Sequence, residues 1–223
     1  MAPEQIVAAF GTTLATTTQA ANTVPLPTTL AGTMVKISDG SREWMAPLFF
    51  VSPGQVNYLM PAGITAARVI VTITNGDFIS AESVALATLS PGLFTANATG
   101  QGLAAAQVLR VLANGTQRYE NVARFDTATN QWVAVPIDLS NASEQVFMIL
   151  YGTGIRGRST LNTVTTTIGG VLCETLYAGA QGSLAGLDQV NVRLPHSLAG
   201  RGDANITLTL DGKAANVVSV NFK

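Results

Sequence analysis

Val146-Phe147-Met148-Ile149-Leu150-Tyr151-Gly152-Thr153-Gly154-Ile155-Arg156-Gly157 can be read as either of two folds. An apolar run followed by G-x-G-x-x-G is the outline of a dinucleotide-binding loop, in which a strand turns into a helix whose N-terminal N–H groups hold a pyrophosphate. Here the glycines lead instead into Arg158-Ser159-Thr160-Leu161-Asn162-Thr163-Val164-Thr165-Thr166-Thr167-Ile168, which is β-branched and closes on Gly169-Gly170. β-branched side chains favour strand. The segment therefore reads as strand, loop, strand, and a nucleotide site is not expected.

An echo of the same stretch supports this. Ile6-Val7-Ala8-Ala9-Phe10-Gly11-Thr12-Thr13-Leu14 matches Phe147-Met148-Ile149-Leu150-Tyr151-Gly152-Thr153-Gly154-Ile155, and keeps only the first glycine. Further on, Gln55-Val56-Asn57-Tyr58-Leu59-Met60-Pro61 matches Gln189-Val190-Asn191-Val192-Arg193-Leu194-Pro195 as Q-V-N-x-x-x-P. Val69 to Gly76 is set on Asn205 to Gly212, and Ser83-Val84 on Ser219-Val220. With Tyr177 set on Phe50, Cys173 falls on Ala46. Four blocks in one order predict two copies of one β unit.

Periodicity gives the class. Val190, Val192 and Leu194 alternate with polar residues, as do Ile206, Leu208 and Leu210, and Val69, Val71 and Ile73 share one face. A period of two is that of half-buried antiparallel strands. Asp39-Gly40, Asn75-Gly76, Asn114-Gly115 and Asp211-Gly212 are hairpin signals. The expected fold is all-β, with two immunoglobulin-like β-sandwich units, 1–91 and 92–223, the second carrying extra hairpins over about 103–136. Phe125 and Trp132 bracket one of these hairpins, and the small-residue stretch 95–102 reads as a linker.

Composition narrows the function. Of 223 residues, 47% are hydrophobic and 11% charged, with a formal net charge of −1 and a mean hydropathy of +0.32. A typical domain has about 25% charged residues, so this surface is covered by Thr, Asn, Ser and Gln. No apolar run approaches the ~20 residues of a membrane helix, and no basic cluster suits nucleic acid. One cysteine, Cys173, and one histidine, His196, leave no disulfide and no His-paired metal site. Neither a metal nor a cofactor is expected. The opening Met1-Ala2-Pro3-Glu4-Gln5 lacks a signal-peptide pattern.

Candidate chemistry is sparse. A triad would need His196 with a serine and an acid; its place after a strand reads as a surface turn. A glycosidase would need two carboxylates at a set separation, and the acids are scattered. Arg201-Gly202-Asp203 spells an integrin-type tripeptide in what reads as an exposed loop. Cys173 reads as a buried, inert thiol. The aromatics Trp132, Tyr119 and Phe125 are the candidate ligand-binding residues, read as lying on one hairpin. If coplanar and exposed, they could stack on sugar rings.

The chain resembles the Solibacter-type uncharacterised C-terminal domain family. The motifs are Ile149-Leu150-Tyr151-Gly152-Thr153-Gly154-Ile155-Arg156, Val164-Thr165-Thr166-Thr167-Ile168-Gly169-Gly170, Leu176-Tyr177-Ala178-Gly179 and Gly186-Leu187-Asp188-Gln189-Val190-Asn191-Val192-Arg193-Leu194-Pro195. Ser90-Pro91-Gly92-Leu93-Phe94-Thr95 and Ala2-Pro3-Glu4-Gln5-Ile6-Val7 with Gly11-Thr12 extend it over essentially the whole chain. Glu4 departs from it, standing where members often have Gly. The resemblance implies a tandem β-sandwich module of secreted or cell-surface bacterial proteins, with no catalytic motif. The expected function is a non-catalytic spacer, anchor or adhesion element, with polysaccharide, other surface proteins, or self-association through edge strands as its contacts. A carbohydrate-binding module and a hydrolase with an unfamiliar site are the alternatives.

Overall fold

The computed structural model describes residues 1–223 and is all-β, with 21 strands, two single-turn 3-10 helices (Leu161–Thr163 and His196–Leu198) and no α-helix. No helix is long and apolar enough to cross a membrane. The chain forms two compact units, Met1–Leu89 with Leu184–Gly186, and Ser90–Ser183 with Leu187–Lys223.

The first unit contains β1 (Ile6–Phe10), β2 (Gln19–Ala20), β3 (Thr29–Leu30), β4 (Thr33–Ser38), β5 (Glu43–Met45), β6 (Leu48–Ser52), β7 (Gln55–Leu59), β8 (Arg68–Asn75) and β9 (Phe78–Ala85). They form two antiparallel sheets, β1-β7-β6-β2 and β3-β4-β8-β9, with β5 also on β4. The alternation read from the sequence is the burial pattern: Val69, Val71 and Ile73 of β8 meet Val35 and Ile37 of β4 and Leu48, Val56 and Tyr58 of the other sheet in one core. Ala46-Pro47 carries the chain from one sheet to the other, since β5 pairs with β4 and β6 with β7. Glu4 takes φ +58°, a left-handed conformation in which glycine is unstrained. β9 is an eight-residue edge strand, exposed along most of its length.

The second unit contains β10 (Gly92–Leu93), β11 (Ala106–Val111), β12 (Gln117–Asn121), β13 (Ala123–Asp126), β14 (Gln131–Ala134), β15 (Gln145–Thr153), β16 (Val164–Ile168), β17 (Val171–Ala180), β18 (Asp188–Arg193), β19 (Gly202–Leu210), β20 (Lys213–Ala214) and β21 (Val218–Phe222). One layer runs β12-β11-β15-β18-β17, and the other pairs β16 with β19, with β20 and β21 on β19. The long β17 belongs to both: Val171 to Cys173 pair with β16, and Glu174 to Ala180 with β18. β13 and β14 form a separate hairpin with Phe125 opposite Trp132.

The two units share fine detail. Phe10 lies opposite Gln55, and Tyr151 opposite Gln189. The amide of Gln55 donates to Asn57 Oδ1 at 2.8 Å, and that of Gln189 to Asn191 Oδ1 at 2.7 Å. Pairing skips one residue between Leu48 and Phe50, and one between Thr175 and Tyr177, each against the Asn of Q-V-N and its neighbour. Ala46 and Cys173 are both buried, each ahead of the bulge in its own unit.

The third sequence block needs correction. β8 ends on Asn75, which pairs with Phe78, so the loop is Gly76-Asp77; β19 ends on Leu210, which pairs with Lys213, so the loop is Asp211-Gly212. Matching Asn-Gly to Asp-Gly puts the strands out by one, and a one-residue slip swaps the faces. Shifted back, Asn75, Ile73, Val71 and Val69 fall on Leu210, Leu208, Ile206 and Ala204, all buried. The expected linker 95–102 is also corrected. Thr95 bridges Ala104, and Asn216 donates to Gly100 O at 2.8 Å, so the stretch is bound into the second unit.

Candidate functional site

The loop after β15 holds no α-helix. Gly154 takes φ +70°, Arg158 N–H closes a turn onto Ile155 O, and the 3-10 turn Leu161–Thr163 leads directly into β16. Gly152 is required by a close approach. A Cβ there would lie 2.3 Å from the carbonyl oxygen of Gly92, because β10 pairs against that point of β15. The N–H groups that a phosphate would use already have an anion. Asp188, fully buried, accepts from Ile155 N (2.7 Å) and Arg156 N (3.2 Å) on one carboxylate oxygen and from Arg156 Nε (2.7 Å) on the other. Asp188 stands where the first unit has Gly54, just ahead of Q-V-N.

The three sequence-selected aromatics are all exposed: Trp132 41%, Phe125 46% and Tyr119 62%. They are not one platform. Phe125 and Trp132 pack edge to face, 5.7 Å between centroids and 69° between planes. Tyr119 is not on their hairpin but on β12, paired with Leu109 of β11. The strand breaks at Val122, between β12 and β13, so the three do not lie on one hairpin.

A different grouping does form a concavity. Trp132 and Tyr151 line a hollow of about 480 Å³ with a floor that includes Ala105 and Ala106, and with the amides of Gln107 and Asn121. Gln107 and Asn121 are directly paired across β11 and β12. Tyr151 Oη donates to Gln107 Oε1 at 3.0 Å, and Gln107 Nε2 faces Asn121 Oδ1 at 3.4 Å. Burial, then the neighbouring Tyr119 phenol, push the Tyr151 hydroxyl above its ordinary pKa, so it stays a neutral donor. Sequence reading had placed Tyr151 only as the aromatic that ends a strand. Its proximity to Trp132 was not legible, because it depends on the order of the sheet.

A second hollow, of about 370 Å³, is charged. Arg110 lies 8% exposed on the core side of β11. It donates to both oxygens of Glu120 (2.7 and 3.0 Å), to Glu144 (2.8 Å) and to Asp138 O (2.9 Å). Here two carboxylates converge, and a buried guanidinium joins them. Asp138 itself is held down at about 2, chiefly by the N–H of Ser140, then by its hydroxyl and Lys223.

The remaining candidates are engaged locally. His196 Nδ1 bonds Leu139 O at 2.8 Å. Gly202 and Asp203 already belong to β19 rather than to a free loop. Arg201 donates to Gly169 O (2.6 Å), and Asn221 donates to Asp203 (2.7 Å). Cys173 is 4% exposed, and burial raises its thiol pKa. Neither a family model nor a curated protein matches this sequence.

Proposed function

We propose that the chain is a non-catalytic module of a secreted or cell-surface bacterial protein, built from two copies of one immunoglobulin-like β unit and acting as a spacer, anchor or adhesion element. The observation that carries this reading is the shared detail of the two units. The same Gln–Asn bond, the same bulge and the same crossing between sheets recur at matched positions. The resemblance to the Solibacter-type C-terminal domain family points the same way. So does the loop after β15, whose N–H groups serve Asp188 rather than a ligand. A tandem array of sandwiches with a neutral, Thr-rich surface extends or joins other domains without reacting with their ligands.

Chromogenic glycosides and esters incubated with the full chain are expected to show no turnover. Turnover that disappears in Glu120→Gln, Glu144→Gln or His196→Ala would replace this reading with a hydrolase. For the assembly role, β9 is the contact, since a long exposed edge strand is a template for another chain. Sedimentation velocity is expected to show concentration-dependent association that Ile79→Lys weakens. Purely monomeric behaviour at high concentration removes assembly and leaves the spacer.

A further inference from the structure

We infer that the hollow between Trp132 and Tyr151 is a binding site for one sugar unit of a neutral polysaccharide. This goes beyond the module reading and stands or falls separately from it.

The chemistry of the lining selects the ligand. None of the ten residues around the hollow is charged, so nothing there would balance a uronate, a phosphate or an ammonium group. Recognition must then come from dipoles and from an apolar surface. Both are present. Trp132 is 41% exposed on a two-stranded hairpin. Phe125 packs against it in a T-shaped pair, which orients the indole while leaving part of its surface to solvent. A pyranose presents an apolar C–H face that suits an aromatic ring, and a rim of hydroxyls that needs amide partners.

Those partners are already aligned. Tyr151, Gln107 and Asn121 stand on the outward face of three neighbouring strands, by the pairings Gln107–Asn121 and Gln107–Ile149 with Tyr151 two residues on. The bonds run in one direction, from Tyr151 Oη to Gln107 and from Gln107 to Asn121. The chain thus ends on the Asn121 amide nitrogen, a donor for a ligand hydroxyl, and Tyr151 Oη still has acceptor capacity. Small side chains on the floor keep the hollow open, where larger ones on the same backbone would fill it. The volume of about 480 Å³ lies within the ~300–1,000 Å³ of small-molecule sites.

The test is native electrophoresis of the full chain through gels containing hydroxyethylcellulose, glucomannan or arabinoxylan, with alginate as the anionic comparison. The expected result is retardation by at least one neutral polymer and not by alginate. Trp132→Ala should weaken it by about tenfold or more, as for a central aromatic anchor. Asn121→Ala, on an exposed strand, should also weaken it. Tyr177→Ala, on β17, should not. Asn121→Ala carries the test if Trp132→Ala fails to fold. No retardation by any neutral polymer overturns the proposal, as does retardation by alginate alone. Retardation unchanged in the folded Trp132→Ala or Asn121→Ala protein overturns it too.

Discussion

Arg156 and Asp188, thirty-two residues apart, form an ion pair of 2.7 Å in which the carboxylate is fully buried. The pair ties the loop after β15 to the start of β18, and two backbone N–H groups complete the solvation of the carboxylate. Gly154, at φ +70°, thus serves folding: it lets the chain turn tightly enough for those N–H groups to converge on Asp188.

Asp188→Ala removes the anion from a half-buried guanidinium and from two backbone N–H donors. Breaking a buried pair from one side costs about 3–5 kcal/mol, and that loss is expected in urea unfolding of the second unit. Arg156→Met leaves the fully buried carboxylate with two N–H donors but no cation, and should cost at least as much. A cost below ~1 kcal/mol for Asp188→Ala would mean that the loop holds its shape without the pair.

Gly152→Ala tests the close approach of β10. The new Cβ would meet a backbone oxygen at 2.3 Å, so the strands must part. Overpacking of this kind costs about 1–3 kcal/mol, with the upper end expected because the obstacle is backbone. Gly54→Ala is the contrast. Its nearest neighbour would be 3.9 Å away and its φ is not in the left-handed region, so the change should be neutral or stabilising by up to ~1 kcal/mol. Equal costs at both positions would refute the steric explanation.

Acid stability follows from Asp138. Its folded pKa of about 2 lies below the ordinary carboxylate value of 3.8. A depressed folded pKa means that the stabilisation is complete above the unfolded value and is lost as pH falls from there through the folded one. Hydrogen bonds to Ser159 and Thr163 lower Asp211, and turn bonds lower Asp39 and Asp126, in the same direction. Melting temperature should therefore hold down to about pH 4 and drop between about 4 and 2. Asp138→Asn should flatten part of that drop. Parallel curves for the two proteins would show that Asp138 contributes nothing to it.

Strand positions and faces were legible because alternation is a local property, and Q-V-N marked β7 and β18, the strands that pair with β1 and β15. The phase of the third block was not legible. Asn-Gly and Asp-Gly look alike in sequence, yet Asn75 stays in its strand while Asp211 enters the loop, and pairing with Phe78 or Lys213 decides between them. Nor was the dual pairing of β17, which depends on two different neighbours. The hollow between Trp132 and Tyr151 was half legible: Trp132 was marked by exposure, whereas Tyr151 lies nineteen residues on and reaches it only through the order of the sheet. Arg110 was missed because its partners Glu120 and Glu144 lie ten and thirty-four residues away. An arginine at an inward position of an alternating strand was the one available signal.

Cys173 provides the last prediction. Its Sγ lies 4% exposed by residue, with the S–H directed to Val171 O at 3.4 Å, and burial holds the thiol above its ordinary pKa. Reactivity belongs to the thiolate, so both access and ionisation oppose modification in the folded protein. A disulfide reagent such as DTNB should react at the rate of unfolding and quickly in denaturant; rapid reaction of the native protein would show an open thiol. The raised pKa also has a sign. The folded state prefers the neutral thiol, so its stabilisation is complete below the unfolded value of ~8.5 and declines as pH rises towards the folded one. Cys173→Ala should remove that alkaline decline. It should cost only about 1 kcal/mol, the burial of roughly one methylene-sized group.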